Sequence, residues 1–243
     1  MQVCITVDVE HDCPPYLTTY RGITEGMPRL LDLLASEGVS GTFFTTGDVA
    51  RRFPTTVRRI LDEGHELGSH GDTHRRFSAL DPAEARAEIV NSSNTLREFG
   101  GKVVAFRAPN LDLPRSYVPF LRDAGFTLDS SEGRHKPGSL LRGVTIQDKV
   151  RRVPATMAPS LLRLPAIVRE TAFRYMRQPV VFFFHPWEFT DVTKEPIPLD
   201  CRFRTGQPAL ASLRSTIGWF RKQGATFYRM SDLPADAGRE AAA

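Results

Sequence analysis

One feature constrains the fold more than any other: a short apolar run, an amphipathic stretch and a glycine follow one another repeatedly along the 243 residues. The apolar runs predict strands over residues 3–8, 41–46, 66–70, 103–107, 126–130, 150–155, 180–185 and 226–230. Helical periodicity predicts helices over residues 27–36, 55–63, 82–99, 114–124, 165–177 and 208–223. Gly38, Gly64, Gly100, Gly125 and Gly224 follow these helical segments, where the chain leaves a helix through the left-handed region. Pro82, just after the cap candidate Asp81, suits a first helical turn. Strand, helix, glycine, strand is the pattern of a parallel sheet. Seven or eight such units favour closure into a distorted, TIM-barrel-like (β/α)7–8 barrel over an open sheet. The expectation is one α/β domain over residues 1–234, with residues 235–243 as a flexible tail.

Composition narrows the classes. Hydrophobic residues make up 41% of the chain, too many for a disordered one. No apolar run approaches the roughly 20 residues that span a bilayer. The net charge of +4 is small and reads as dispersed. It weakly favours an anionic substrate or a membrane surface, and no basic tract marks a nucleic-acid partner. Three cysteines are too few for a disulfide framework. The N-terminus reads straight into a strand without a secretion signal, so a cytoplasmic location is expected.

The first strand indicates where chemistry sits. Val3, Ile5, Val7 and Val9 alternate with Cys4, Thr6, Asp8 and Glu10, so one face is apolar and the other ends in two carboxylates. In His70-Gly-Asp-Thr-His74, two imidazoles four residues apart can converge on one metal ion if the segment turns helically. Asp8, Glu10, His70, Arg107, Asp129 and His185 all fall at the ends of predicted strands, where barrels build their sites. His65 lies at the opposite end of its strand and reads as structural.

The chain resembles the polysaccharide deacetylases, carbohydrate esterase family 4. The stretches that carry the likeness are Gly41-Thr-Phe-Phe-Thr-Thr-Gly, Phe53-Pro, Asp62-Glu-Gly-His-Glu-Leu-Gly-Ser-His-Gly-Asp-Thr-His74, Phe106-Arg-Ala-Pro109 and Phe184-His-Pro-Trp-Glu188. The resemblance implies a metal-dependent hydrolase that removes an N-acetyl group from an amino sugar in a glycan or glycan precursor. It implies Asp8 as the base that activates water, Arg107 as the residue that orients it and His185 as the acid that protonates the leaving amine. Asp129 stands where the family has an acidic partner for that histidine. His70 and His74 would hold one divalent metal, zinc first, with cobalt, nickel or iron as alternatives. Glu10 is the preferred carboxylate ligand because it shares a face with Asp8; Asp12 is its rival. A backbone N–H near Asn110 would hold the oxyanion, and Trp187 and Glu188 would line the substrate pocket.

Two neighbouring activities follow from related resemblances. The segment Tyr20-Arg-Gly-Ile-Thr-Glu-Gly-Met-Pro-Arg-Leu-Leu is similar to the deformylases of lipid-linked aminoarabinose, and other relatives hydrolyse small cyclic amides. The arginine-dotted apolar stretch 157–175 fits peripheral contact with a lipid-linked substrate and fits a core-facing barrel helix equally well. A non-enzymatic carbohydrate-binding barrel is the third reading. The sequence leaves the oligomeric state open.

Overall fold

A computed structural model describes residues 1–135 and 142–238. Its strands are β1 (Gln2–Val9), β2 (Thr42–Thr45), β3 (Glu66–Ser69), β4 (Ala105–Phe106), β5 (Leu128–Asp129), β6 (Thr145–Gln147), β7 (Val150–Arg152), β8 (Val180–Phe184) and β9 (Thr226–Phe227). They join in one sheet in the order β6-β7-β5-β4-β3-β2-β1-β8, with β9 added at the start of β1. All pairings are parallel except β6 with β7. The sheet curls until its ends meet. The Thr156 N–H donates to the Val181 carbonyl at 2.8 Å, and Met157 forms a parallel bridge with Phe182. The fold is thus a distorted (β/α) barrel whose seam is closed by a few residues beyond β7.

The alternation in β1 has its expected consequence. Val3, Ile5, Val7 and Val9 pack outward beneath Met27, Leu30 and Leu34 of the helix Met27–Ser36 and beneath Ile217 and Phe220 of the helix Gln207–Lys222. Cys4 points inward and meets Phe44, Ala105, Leu128, Val153 and Val181, one side chain from each of several strands. This apolar layer plugs the barrel below the polar end, so the interior is a packed core and not a pore.

Several boundaries differ from the sequence reading. The hairpin of β6 and β7 was not anticipated, because its turn is Asp148-Lys149, both at positive φ (51° and 67°), where an Asn-Gly or Asp-Gly pair usually signals a two-residue turn. The helix Gly47–Arg52 is too short to show periodicity and is set by its cap, since the Thr46 side chain accepts from the Val49 N–H. The helix expected from residue 114 begins as a 3-10 turn, Arg115–Tyr117, before Val118–Asp123. The expected tail is packed as far as it is described. Ala237 is buried, and Arg151 donates to the carbonyls of Leu233, Pro234 and Ala237. Residues 239–243 lie outside the described residues.

The segment Gly22–Gly26 is one π-helical turn pressed against the turn Pro186–Phe189. A Cβ on Gly26 would lie 2.1 Å from the Pro186 carbonyl oxygen, so only glycine admits this contact. A Cβ on Gly218, within the helix Gln207–Lys222, meets nothing within 4 Å. In urea denaturation, Gly26→Ala is expected to destabilise the chain by about 2 kcal/mol or more through overpacking. Gly218→Ala is expected to stabilise it by about 0.5–1 kcal/mol through helix propensity.

Candidate active site

The polar side chains gather at the C-terminal ends of the barrel strands, around a cleft of about 400 Å³ lined by Asp8, Glu10, His70, His74, His185 and Trp187 among others. Beneath it lies Arg107, which has no exposed surface. Its guanidinium donates to Asp8 Oδ1 at 2.7 Å, to Thr6 Oγ1 at 2.8 Å, to Ser130 Oγ at 2.9 Å and to the Ser130 carbonyl at 3.3 Å. It also lies 4.2 Å from the ring centroid of Phe44. A charge this deep needs such partners, and the result is an Asp8 carboxylate fixed in direction.

Glu10, His70 and His74 form a cluster whose ligand atoms lie within 4.8 Å of one another. Glu10 Oε2 is 2.5 Å from His74 Nε2 and 3.2 Å from His70 Nε2. His70 Nδ1 lies 2.8 Å from the Arg107 carbonyl. A carbonyl only accepts, so that nitrogen carries a proton, which in the neutral tautomer leaves the lone pair at Nε2. This lone pair faces a carboxylate oxygen, an arrangement that a cation between them relieves. The donor set of two imidazoles and one carboxylate, with one imidazole oriented by a carbonyl behind it, fits a divalent metal. Burial alone would raise the Glu10 pKa, but the neighbouring His74 and His185 hold it well below the ordinary carboxylate range.

The two histidines do not converge through a helical turn, as the spacing suggested. Residues after β3 form a loop with positive φ at Gly71 and His74. Glu88, buried on the helix Pro82–Arg97, accepts from the N–H groups of Asp72 and Thr73 and from the Thr73 hydroxyl. Gly47 lies against the same loop, where a Cβ would sit 2.0 Å from Asp72 Oδ1. Glu88 was not legible as a site residue, since only the folded chain brings it to this loop.

Asp12, the rival ligand, is engaged elsewhere. Its Oδ2 accepts from Thr19 Oγ1 and the Arg21 N–H, and its Oδ1 from the Gly22 N–H. It ties down the start of the π-helical turn.

Asp129 departs from the expected pairing with the acid histidine. Its oxygens are held by Arg152 at 2.8 Å and by Ser131, whose hydroxyl also accepts from the Ala108 N–H. His185 Nδ1 instead donates to Glu188 Oε1 at 2.9 Å. The two residues are three apart in one 3-10 turn, so the partner comes from the same motif. Glu188 is 1% exposed and does not line the cleft, which corrects its expected contact with substrate. Trp187 does line the cleft and stacks on His185 at 5.1 Å. His185 Nε2 lies 3.7 Å from Glu10 Oε1. Burial opposes its charge, but Glu10 and Glu188 raise the His185 pKa to about 9. Asn110 stands at the cleft in a left-handed conformation (φ 58°), with its side chain exposed.

Fold and donor cluster define a (β/α) barrel with a candidate divalent-metal site at its strand ends. The polysaccharide deacetylase family model matches residues 3–128, and the chain belongs to that family. A peptidoglycan-N-acetylglucosamine deacetylase of Bacillus cereus is 34% identical over 85 residues, which is 35% of this chain and 31% of that protein. The chain spans about a third of the length of the first curated relatives it matches. The fold is shared with a crystal structure from Mycobacterium smegmatis assigned to the polysaccharide deacetylases (TM-score 0.73, 21% identity, 96% of this chain and 88% of that one). It is also shared with a carbohydrate esterase family 4 pseudoenzyme of Bacillus anthracis (TM-score 0.65, 16% identity, 96% and 64%).

Elemental analysis of the purified chain separates the two carboxylates. Wild type is expected to carry about one divalent ion per chain, and Glu10→Gln and His70→Ala to lose more than about tenfold in affinity. Asp12→Asn is expected to keep the ion while losing about 1–3 kcal/mol of stability, because two backbone donors lose their ionised acceptor.

Proposed function

We propose that this chain hydrolyses the N-acetyl amide of an amino sugar in a glycan or glycan precursor, with one divalent cation held by Glu10, His70 and His74. Such an ion supplies Lewis acidity toward water and an amide carbonyl. The observation that carries the reading is a division of labour between two separately held groups at one cleft. Asp8 is paired with and aimed by Arg107 at 2.7 Å; His185 is paired with and aimed by Glu188 at 2.9 Å. One is built to take a proton and the other to give one.

The roles follow from amide chemistry. Asp8 accepts the proton as water attacks the acetyl carbon. The tetrahedral product of that attack cannot expel an amine anion, so His185 Nε2 delivers a proton to the sugar nitrogen and acetate leaves. Asn110 and Trp187 flank the place the sugar would occupy, with the Asn110 region as the source of an oxyanion donor. Glu188 and Arg107 act through His185 and Asp8 and are positioning residues. Asp129, paired with Arg152, is a structural member of the wall.

The name of the Bacillus cereus relative makes N-acetylglucosamine oligomers and peptidoglycan fragments the first substrates to test. A specific observation favours a second reading, the deformylation of a lipid-linked amino sugar. The segment that resembles those deformylases is built into the site wall, where Gly22 lies against the backbone of Trp187. The released acid distinguishes the two, acetate in one case and formate in the other. A binding-only barrel, for which the Bacillus anthracis pseudoenzyme gives structural precedent, predicts neither.

With metal loaded, Asp8→Asn and His185→Gln are each expected to lower kcat by about 10²–10⁴-fold at unchanged metal content, followed by acid release. Glu188→Gln is expected to lower kcat with little change in KM, because it frees the imidazole without touching substrate. An active Asp8→Asn variant sinks this assignment of the base.

A further inference from the structure

The helix Ala166–Phe173 is inside out. It buries Arg169 and Phe173, while Ile167 is 79% exposed and Val168 51% exposed. Arg169 is held from below by the Leu162 and Leu164 carbonyls and by Ser215. Tyr175, just past the helix, is 84% exposed and continues the row begun by Ile167 and Thr171. Six of the nine large exposed apolar side chains among the described residues fall in two segments, 157–177 and 199–204: Leu161, Ile167, Val168, Tyr175, Leu199 and Phe203.

The two segments are joined. The Arg163 guanidinium donates to the carbonyls of Asp200 and Cys201 at 2.6 and 2.8 Å. Arg204 lies close enough for its charge to act on Arg169. The face also reaches the cleft, because Cys201 lines it beside Glu10 and His70.

Charge identifies what covers this surface. Arg174, Arg177, Arg202 and Arg204 reach solvent against Glu170 and Asp200, a surface excess of two, while Arg163 and Arg169 are buried beneath them. Half of the chain's net charge of +4 thus gathers on this one face. A second copy of the chain would bring the same excess against it. Aliphatic and aromatic side chains interspersed with arginines, on a helix lying along the surface, match an interface of acyl chains and phosphate headgroups.

We propose that segments 157–177 and 199–204 form a docking face for an anionic phospholipid bilayer, which seats the cleft mouth at the membrane surface. The inference rests on surface chemistry and not on the reaction assigned to the cleft. Sedimentation with vesicles tests it, using phosphatidylcholine alone and phosphatidylcholine mixed with phosphatidylglycerol. The expected result is that wild type pellets with the anionic vesicles only and is released by salt. The pairs Ile167→Glu with Val168→Glu, and Arg174→Gln with Arg204→Gln, should each lower vesicle partitioning by about tenfold or more. Val90→Glu, at an exposed apolar position on the helix Pro82–Arg97, should leave it unchanged. All substituted side chains are exposed, and circular dichroism checks that the variants fold. Wild type that ignores anionic vesicles, or binds both kinds equally, overturns the proposal. So does binding that neither pair weakens, or a dimer that Ile167→Glu dissociates without vesicle binding. The assay reads binding alone, so its failure leaves the hydrolase reading standing, and an inactive cleft leaves this one standing.

Discussion

The guanidinium of Arg107 has no contact with water and must be neutralised where it lies. Breaking such a buried pair by removing one partner costs about 3–5 kcal/mol, because the other charge is stranded. This one requirement organises both halves of the cleft. The side chain of Arg107 fixes Asp8, and its backbone carbonyl fixes the tautomer of His70. Its N–H meanwhile donates to the Ser69 carbonyl and so holds the end of β4 to the end of β3. Asp8 and His70 are therefore set by opposite ends of the same residue. A shift in one is transmitted to the other without any intervening loop.

The opposite wall is held more locally. His185 and Glu188 belong to one short 3-10 turn, and Glu188 accepts from both the backbone N–H and the imidazole of His185. Arg163 stands 3.5 Å from the other oxygen of Glu188. Here the supporting charge comes from the turn itself and from the helix pair at the barrel seam, not from a neighbouring strand. Asp129 is consequently free to pair with Arg152 and to brace the loop before Ala108 through Ser131.

What was legible in the sequence is what depends on near neighbours. Period-two alternation placed Asp8 and Glu10 on one face, and glycines marked the helix exits, because backbone sterics act over a few residues. The preference for Glu10 over Asp12 had the same local basis, and the hydrogen bonds of Asp12 supply the reason it stays out of the cluster. What was not legible depends on partners that only folding supplies. The shape of the His70–His74 loop comes from Glu88, a buried carboxylate on the next helix that looks like any surface glutamate in the sequence. The partner of His185 was sought on another strand when it lay three residues away. The hairpin turn at Asp148-Lys149 lacks the glycine that would have announced it.

The seam of the barrel ties these observations together. The helices Met27–Ser36 and Gln207–Lys222 bury apolar faces against β1, but beside β8 the helix Ala166–Phe173 sends an arginine inward and aliphatic side chains outward. Leaving Ile167 and Val168 in water forgoes about 1.5–3 kcal/mol each relative to burial. Only Phe173 joins the aromatic cluster of Phe182 and Phe220. Among the described residues, the strands at the seam are joined through Thr156 and Met157. An apolar surface covering this helix would recover the lost burial at the barrel seam. Because Arg163 joins the same seam to Glu188, the cover would also bear on the group that orients His185.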